Sequence, residues 1–256
     1  MSRRRIVLLL VEGESDATLL TPSFNALFPT LNMPHQTHGE PLRCDVTTVS
    51  LYPDDARFNG LNPRDNAPTM VRKTVRECIA RADYTKADVA CVVQLIDLDG
   101  VFIPSDRIIE ERRCERIVYG EDDITVHDKS QRLQLCALKR RNVNALRGMT
   151  EIMNVPYRLF YVSRNLEHAF ADLSGTVSTT RKNQTAARLA AMFVQDPDIF
   201  KDILTRLYAL HRNEAGTAEV SWKASWDDVM KPGSLLSLHR GSNLLFLPGF
   251  VKEISK

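Results

Sequence analysis

The chain has 256 residues, of which 43% are hydrophobic and 26% charged, a composition typical of globular proteins that excludes a disordered or fibrous chain. The net charge of +2 indicates no general preference for polyanions, but it does not exclude nucleic acid, because clusters of charge matter more than the total. No apolar stretch approaches the roughly 20 residues that span a bilayer, and the five cysteines form no Cys-x-x-Cys pair. We therefore expect a cytoplasmic protein with reduced thiols and no membrane partner.

The first structural prediction is a strand over Ile6–Val11, a short and uniformly apolar run that suits burial on both faces of a sheet. Ser15 is a plausible N-cap for a helix running from Asp16 towards residue 28. Glu12 and Asp16 would then lie close together at the end of the strand. This segment alone supports two explanations equally, a divalent cation site or a cluster of acids that caps the helix.

The next hundred residues contain both loop and regular segments. We predict a loop over Pro29–Pro41, a second strand over Cys44–Leu51, a turn-rich insertion over residues 52–68 and an amphipathic helix over Thr69–Ala82. His35 and His38 lie within the predicted loop at metal-pair spacing, but no third ligand supports them.

Two further apolar strands also end in acidic residues. Val89–Ile96 is followed at once by Asp97 and Asp99, and Tyr157–Ser163 leads into Glu167. Because parallel strands deliver their carboxyl ends to one edge of a sheet, we expect these carboxylates to converge with those of the first strand. Converging carboxylates are what a two-metal phosphoryl-transfer site requires.

The remaining segments complete an α/β prediction, with a mostly parallel sheet flanked by helices. Residues 1–175 form the predicted core, in which 104–128 is a solvated helix with loops and 130–153 is a long helix. Residues 176–256 form a helical C-terminal lobe, with a helix break at Asp196-Pro197.

The sequence Val11-Glu12-Gly13-Glu14-Ser15-Asp16, followed later by Asp97-Leu98-Asp99, resembles the Toprim domain of topoisomerases, primases and several nucleases. Ser163-Arg164-Asn165-Leu166-Glu167-His168 is similar to a later motif of the OLD (overcoming lysogenization defect) and RloB-like phage-defence nucleases. The resemblance covers about residues 5–170. It implies a Toprim-like, Rossmann-like sheet and a metal-dependent endonuclease that acts on DNA or RNA.

The resemblance also implies roles for individual residues. Glu12, Asp97 and Asp99 would ligate Mg²⁺ or Mn²⁺, and Asp16 and Glu167 would hold a second cation or its waters. Glu12 and Asp97 would be catalytic together with a downstream lysine that offsets charge on the phosphate. Lys182 is the first candidate for this lysine, and Lys223 is the second.

The expected partners follow from the same comparison. Basic residues at 139–141, 147, 181 and 188 would guide a nucleic-acid backbone, unless they are simply solvated helix faces. The chain contains no G-x-x-x-x-G-K-[ST] motif, so the ATPase that accompanies many OLD nucleases would be a separate protein. We expect a toxic or antiviral effector that is gated by this ATPase or by a sensor and that could form homo-oligomers.

Two alternatives stay open. The Asp97-Leu98-Asp99-Gly100 sequence also resembles the first motif of haloacid-dehalogenase-type phosphatases, in which Asp97 would be the nucleophile and Asp99 the general acid. Ser163 could then mimic their second motif. The other alternative is a Toprim-like module that binds nucleic acid or a partner protein without cleaving.

Overall fold

The computed structural model describes residues 6–41, 66–172, 178–215 and 220–255. Within these residues the chain is an α/β protein, in which a mostly parallel sheet is flanked by helices on both faces. The described helices include none with the length and apolar character needed to cross a membrane.

In the part of the chain that the structure describes, the main sheet has five strands in the order β2-β1-β3-β8-β7. The first four strands in this order are parallel to their neighbours, and β7 is antiparallel to β8. The bounds of the strands are β1 Ile6–Val11, β2 Gln36–Pro41, β3 Val89–Asp97, β7 Glu151–Ile152 and β8 Val155–Val162. The carboxyl ends of β1, β3 and β8 are therefore adjacent along one edge.

Among the described residues, eight α-helices pack around this sheet, and two short 3-10 helices cover Ser105–Arg107 and Leu244–Phe246. The α-helices are α1 Glu14–Thr30, α2 Asn66–Arg81, α3 Lys129–Arg147, α4 Leu166–Ala171, α5 Thr179–Gln195, α6 Pro197–Ala215, α7 Trp222–Met230 and α8 Leu247–Glu253. Helices α2, α3 and α7 pack on one face of the sheet, and α1, α4, α5, α6 and α8 pack on the other.

The central strands form because both of their faces are apolar. In β1, Leu8 and Leu10 point into the core beneath α2 and α3, whereas Val7, Leu9 and Val11 point into the core beneath α1. Every residue of β1 is buried, as a central strand of a parallel sheet requires. The predicted strands at residues 6–11, 89–96 and 157–163 are confirmed, as is the helix break at Asp196-Pro197.

Two predictions near the N-terminus need correction. The segment predicted as a loop over Pro29–Pro41 contains the end of α1 and all of β2, an edge strand whose polar sequence hides it from hydrophobic pattern analysis. Helix α1 begins at Glu14 with Gly13 as its N-cap, not Ser15. The reason is that the Asp16 carboxylate Oδ2 accepts a hydrogen bond from the Gly13 N–H at 3.0 Å, which fixes the helix start there.

The segment 104–128, predicted as solvated helix and loops, instead contains a second small sheet. Its strands are β4 Ile108–Glu110, β5 Val118–Tyr119 and β6 Ile124–Val126, in the order β4-β6-β5. Ile108 and Ile124 are fully buried and attach this sheet to the core beneath α2 and α3. Strands of two or three residues are too short to show a period of two in the sequence.

The other predicted helices differ from the observed helices only at their ends. The helix predicted over 130–153 ends at Arg147, and the residues beyond it lead into β7. The helix predicted over Thr69–Ala82 begins earlier, at Asn66, so 66–68 do not belong to the predicted insertion. The strand predicted over Cys44–Leu51 and residues 52–65 of that insertion lie outside the described residues.

The C-terminal helices share a core with the sheet. Helices α5 and α6 pack against α1, and Trp226 of α7 is fully buried with its ring edge-on to Tyr161 of β8. The imidazole of His211 lies between the two strand-end hydroxyls, with Nδ1 3.2 Å from the Tyr161 hydroxyl and Nε2 3.0 Å from Ser163 Oγ. Burial lowers the pKa of His211 to about 4.

Acid should therefore weaken the fold through His211. An unfolded histidine takes up its proton near pH 6.5, whereas the folded His211 stays neutral down to about pH 4. We expect this residue to remove up to about 3 kcal/mol from the free energy of unfolding as the pH falls through that window, with no further loss below it. The measurement is urea denaturation at several pH values of wild type, His211→Gln and the exposed control His127→Gln.

Acids with raised pKa values, such as Asp16 and Asp97, make the fold more stable as the pH falls. Comparing wild type with a variant at each pH removes this shared contribution and leaves the effect of His211. His211→Gln should be less stable than wild type at pH 7.5, and the deficit should shrink towards pH 4. The His127→Gln curve should run parallel to the wild-type curve. A deficit of His211→Gln that is constant with pH would contradict the assignment.

Candidate metal centre

The ends of β1 and β3 bring the first two acidic motifs together. Glu12 follows β1 directly, and Asp97 is the last residue of the neighbouring β3. The Glu12 carboxylate accepts a hydrogen bond from the Asp97 N–H, with 3.2 Å between Oε1 and N. Two residues 85 positions apart in the chain therefore lie side by side at one edge of the sheet.

Asp16 contributes a third carboxylate from the first turn of α1. The side chain is buried, and the hydrogen bond that it accepts from the Gly13 N–H holds it over the strand end. Burial and the nearby Glu167 raise the pKa of Asp16 to about 6, against the opposing effects of the Gly13 hydrogen bond and of Lys182. Asp16 is thus both a helix-capping residue and a member of the acidic cluster.

Asp97 lies at the centre of this group. Burial raises the pKa of Asp97 well above its usual value, and the carboxylates of Glu12, Asp16 and Asp99 raise it further. The ammonium of Lys139 acts in the opposite direction. Several like charges in a poorly solvated position make the carboxylate form of Asp97 costly unless a cation is nearby.

Asp99 lies in a tight turn after β3. Its backbone is left-handed, with φ of 49°, and its N–H donates to the Arg164 carbonyl just beyond β8 at 3.0 Å. The Asp99 carboxylate has two neighbours. The Tyr119 hydroxyl donates to Oδ1 at 3.3 Å, and Lys139 Nζ lies 3.3 Å from Oδ2.

Glu167 and Lys182 form an ion pair at the other side of the cluster. Asn165 caps α4 by accepting a hydrogen bond from the His168 N–H at 2.9 Å, and this places Glu167 in the first turn. Lys182 comes from the first turn of α5, and its Nζ lies 3.1 Å from Glu167 Oε1. Glu167 is buried, whereas the lysine side chain is 37% exposed.

The five predicted metal ligands and the first lysine candidate therefore lie in one neighbourhood at the sheet edge, linked by the Glu12–Asp97 hydrogen bond, the Glu167–Lys182 ion pair and electrostatic interactions among the acids. Among the described residues, however, no three of these five carboxylates have ligand atoms within 4.8 Å of one another. The second candidate, Lys223, is exposed on α7. Two other residues of the third motif, Ser163 and His168, have structural roles. Ser163 is fully buried and donates to the Leu236 carbonyl, and burial lowers the pKa of His168 to about 4, a change to which the nearby Arg164 contributes.

Three basic groups and one tyrosine near Asp99 were not predicted from the sequence. Arg132 donates to the Asp99 carbonyl, and the Arg164 guanidinium lies 4.4 Å from the centre of the Tyr119 ring. Lys139 is the most informative of the four, because Cys136, Val143 and Leu146 are buried on the same side of α3. That apolar spacing, of three, four and three residues, was the signal that could have placed Lys139 inside.

The expected guiding role of the basic residues needs revision for α3. Lys139 pairs with Asp99, Arg140 donates to the Val101 and Ile103 carbonyls, and Arg147 pairs with Asp227. These side chains are therefore engaged within the fold. Arg141 on α3 and Arg181 and Arg188 on α5 are exposed and remain accessible to a ligand.

A second group of ligand-type side chains lies between β2 and α2. Atoms of His38, Glu40 and Cys78 lie within 4.8 Å of one another. Glu40 is ion-paired with Arg81, and burial together with Glu40 raises the pKa of the Cys78 thiol to about 12. A neutral thiol and a carboxylate paired with arginine are poor ligands for Mg²⁺ or Mn²⁺. His35, whose spacing from His38 is that of a metal pair, packs against Phe28 instead.

Comparisons with protein-family models, with curated proteins and with solved structures give no match for this chain.

The crowding around Asp97 predicts a measurable effect on stability. Asp97→Asn removes a half-buried charge that neighbouring carboxylates repel, so without divalent cations the variant should exceed wild type by about 1–2 kcal/mol in free energy of unfolding near pH 8. A carboxyl with a raised folded pKa destabilises the fold at high pH. The advantage should therefore shrink as the pH falls towards 3.8, the ordinary pKa of aspartate.

Mg²⁺ should reverse this order. At about 100 times its dissociation constant, a cation that binds only the folded state adds about 2.7 kcal/mol, which we expect for wild type and not for Asp97→Asn. Thermal denaturation with EDTA or with MgCl₂ measures both effects, and the exposed Asp106→Asn serves as the matched control. Equal stabilisation of wild type and Asp97→Asn by Mg²⁺ would show that the cation binds elsewhere.

Proposed function

We propose that the chain is a Mg²⁺- or Mn²⁺-dependent endonuclease that hydrolyses phosphodiester bonds of DNA or RNA through a Toprim-type acidic cluster. The observation that carries this proposal is the proximity of Glu12 and Asp97, at the ends of adjacent parallel strands, to Asp16 in the first turn of α1, with the half-buried Asp97 among the other carboxylates. The cluster occupies the position at which open α/β sheets place their ligands.

The side chains present suit a hard divalent cation. All five acidic residues offer carboxylate oxygens, which Mg²⁺ and Mn²⁺ prefer over sulfur or imidazole ligands. Within the cluster, Lys139 and Lys182 pair with the outer carboxylates, Asp99 and Glu167. When bound, the cation would lower the pKa of a water molecule and stabilise negative charge on the phosphate.

Lys182 has the properties expected of the residue that approaches the phosphate. Its ammonium stands at the rim of the cluster and is partly exposed, so it can leave Glu167 when a phosphate arrives. Arg181 and Arg188 lie on one exposed face of the same helix, seven residues apart, and would contact the nucleic-acid backbone on either side. Helix α5 would therefore orient the substrate over the carboxylates.

Two observations support a nuclease over a haloacid-dehalogenase-type phosphatase. Catalysis by Asp97 and Asp99 alone would leave the neighbouring carboxylates of Glu12 and Asp16 without a role. Ser163, the residue that would bind phosphate in such a phosphatase, is fully buried and donates to the Leu236 carbonyl. Release of phosphate from small phosphomonoesters with a trapped phospho-Asp97 would support the phosphatase instead.

The central experiment is cleavage of DNA and RNA by variants with isosteric, uncharged side chains. Glu12→Gln keeps an oxygen that can accept the Asp97 N–H bond but loses the charge. We therefore expect folded protein with metal-dependent cleavage reduced to background, and the same for Asp97→Asn. The matched controls Glu115→Gln and Asp106→Asn, both exposed, should cleave like wild type. Full activity of Glu12→Gln and Asp97→Asn would contradict catalysis and favour a non-catalytic binding module.

We propose further that a separate ATPase or sensor protein gates the activity, since the chain carries the acidic residues but no phosphate-binding loop of its own. The purified chain should then cleave slowly with Mg²⁺ alone. Its expression should harm cells that contain the partner, and Glu12→Gln should abolish this toxicity. Cleavage at full rate by the purified chain would remove the need for a gating partner.

The two candidate lysines can be separated directly. Lys182→Met should lower the cleavage rate by about 100-fold, the usual effect of removing one group that stabilises transition-state charge, and should leave Mn²⁺ binding intact. Lys223→Met, at an exposed position on α7, should cleave like wild type. The assay is single-turnover cleavage of labelled nucleic acid with saturating enzyme. Loss of activity in Lys223→Met alone would reverse the assignment.

A further inference from the structure

Lys139 is a buried ammonium inside the acidic cluster. The residue is 4% exposed, on the side of α3 that packs into the core with Val143 and Leu146. Burying a charged amine is costly unless an opposite charge is held close to it. The Asp99 carboxylate meets this need, with Oδ2 3.3 Å from Nζ. The Lys139–Asp99 ion pair is therefore a fixed part of the site and not a surface ion pair.

Asp99 is fixed in place by several elements at once. Its other oxygen, Oδ1, accepts from the Tyr119 hydroxyl of the small sheet. Its backbone N–H donates to the Arg164 carbonyl, and its carbonyl accepts from Arg132 of α3. The Asp99 side chain is therefore oriented towards the ammonium and the phenol, and turning it towards Asp97 would break both contacts.

A divalent cation on Asp99 would also meet repulsion. An oxygen ligand lies about 2.1 Å from Mg²⁺. A cation held by Asp99 Oδ2 could therefore lie no farther than about 5.4 Å from the Lys139 ammonium, since 3.3 Å separates Oδ2 from Nζ. The lysine lies in the core and cannot withdraw into solvent as a surface lysine would.

We propose that Lys139 takes the place of a second divalent cation, with Asp99 as its counter-ion and not a metal ligand. The site then binds one divalent cation, on Glu12, Asp16 and Asp97. This inference rests on the proposed function and departs from the two-cation arrangement that the sequence resemblance implies. Lys139 is a positioning residue, because it acts on the site through its ion pair with Asp99.

The number of cations bound per chain tests this proposal without an activity assay. Isothermal titration with Mn²⁺, checked by the loss of the free Mn²⁺ signal in electron paramagnetic resonance, should give one site for wild type. Asp99→Asn should also bind one Mn²⁺, since this carboxylate is not a ligand. Lys139→Met frees the Asp99 carboxylate and should bind two. Lys139→Arg restores the positive charge and should return the number to one, and the exposed control Lys252→Met should behave like wild type.

Two Mn²⁺ per chain in wild type, falling to one in Asp99→Asn, would overturn the proposal and leave the proposed metal-dependent function standing. An absence of Mn²⁺ binding by wild type would instead overturn the proposed function, and this inference with it. If Lys139→Met does not fold, the double variant Lys139→Met/Asp99→Asn replaces it, because removing both charges leaves no buried ion. The double variant should bind one Mn²⁺. If it bound none, metal binding would depend on the Lys139–Asp99 pair, which contradicts the proposal.

Discussion

The site depends on one constraint, the mutual repulsion of carboxylates held at the end of a buried parallel sheet. Adjacent parallel strands necessarily bring their carboxyl ends together, and β1 and β3 each end in an acid. Asp97 shows the consequence, since burial and its acidic neighbours raise its pKa far above that of a solvated aspartate. A fold that retains such a group requires positive charge nearby, and the surrounding elements supply it.

The positive charges stand at the two sides of the cluster, and they differ in burial. Lys139 reaches Asp99 from within the core, where it is held by packing. Lys182 reaches Glu167 from the rim, where more than a third of its side chain is exposed. The buried Lys139 stays beside Asp99, so its effect on the electrostatic potential at Asp97 does not depend on a ligand. The exposed lysine can exchange its partner for a phosphate, so the two ion pairs suit different tasks although their separations are similar.

The sequence predicted the parts of this arrangement that depend on long apolar runs. Strands at 6–11, 89–96 and 157–163 were recognisable because both of their faces are apolar, and the acids that follow them could be placed at one edge. The small sheet of residues 108–126 was not recognisable, since its strands are too short to show a pattern. Tyr119, which that sheet brings to Asp99, was missed for the same reason. Lys139 was predicted to lie on a basic surface, because the adjacent Arg140 and Arg141 make the apolar spacing of this helix hard to recognise.

The expected boundary near residue 175 does not separate the site from the C-terminal residues. The Ser237 carbonyl accepts from the Gly100 N–H after β3 and from the Arg164 N–H after β8. The turns that carry Asp99 and the start of α4 are therefore fastened by a segment more than 60 residues beyond that boundary. Lys182 also comes from beyond it. Because backbone hydrogen bonds from this segment hold the strand ends in register, the geometry of the acidic cluster depends on the C-terminal residues as much as on the strands that carry the acids.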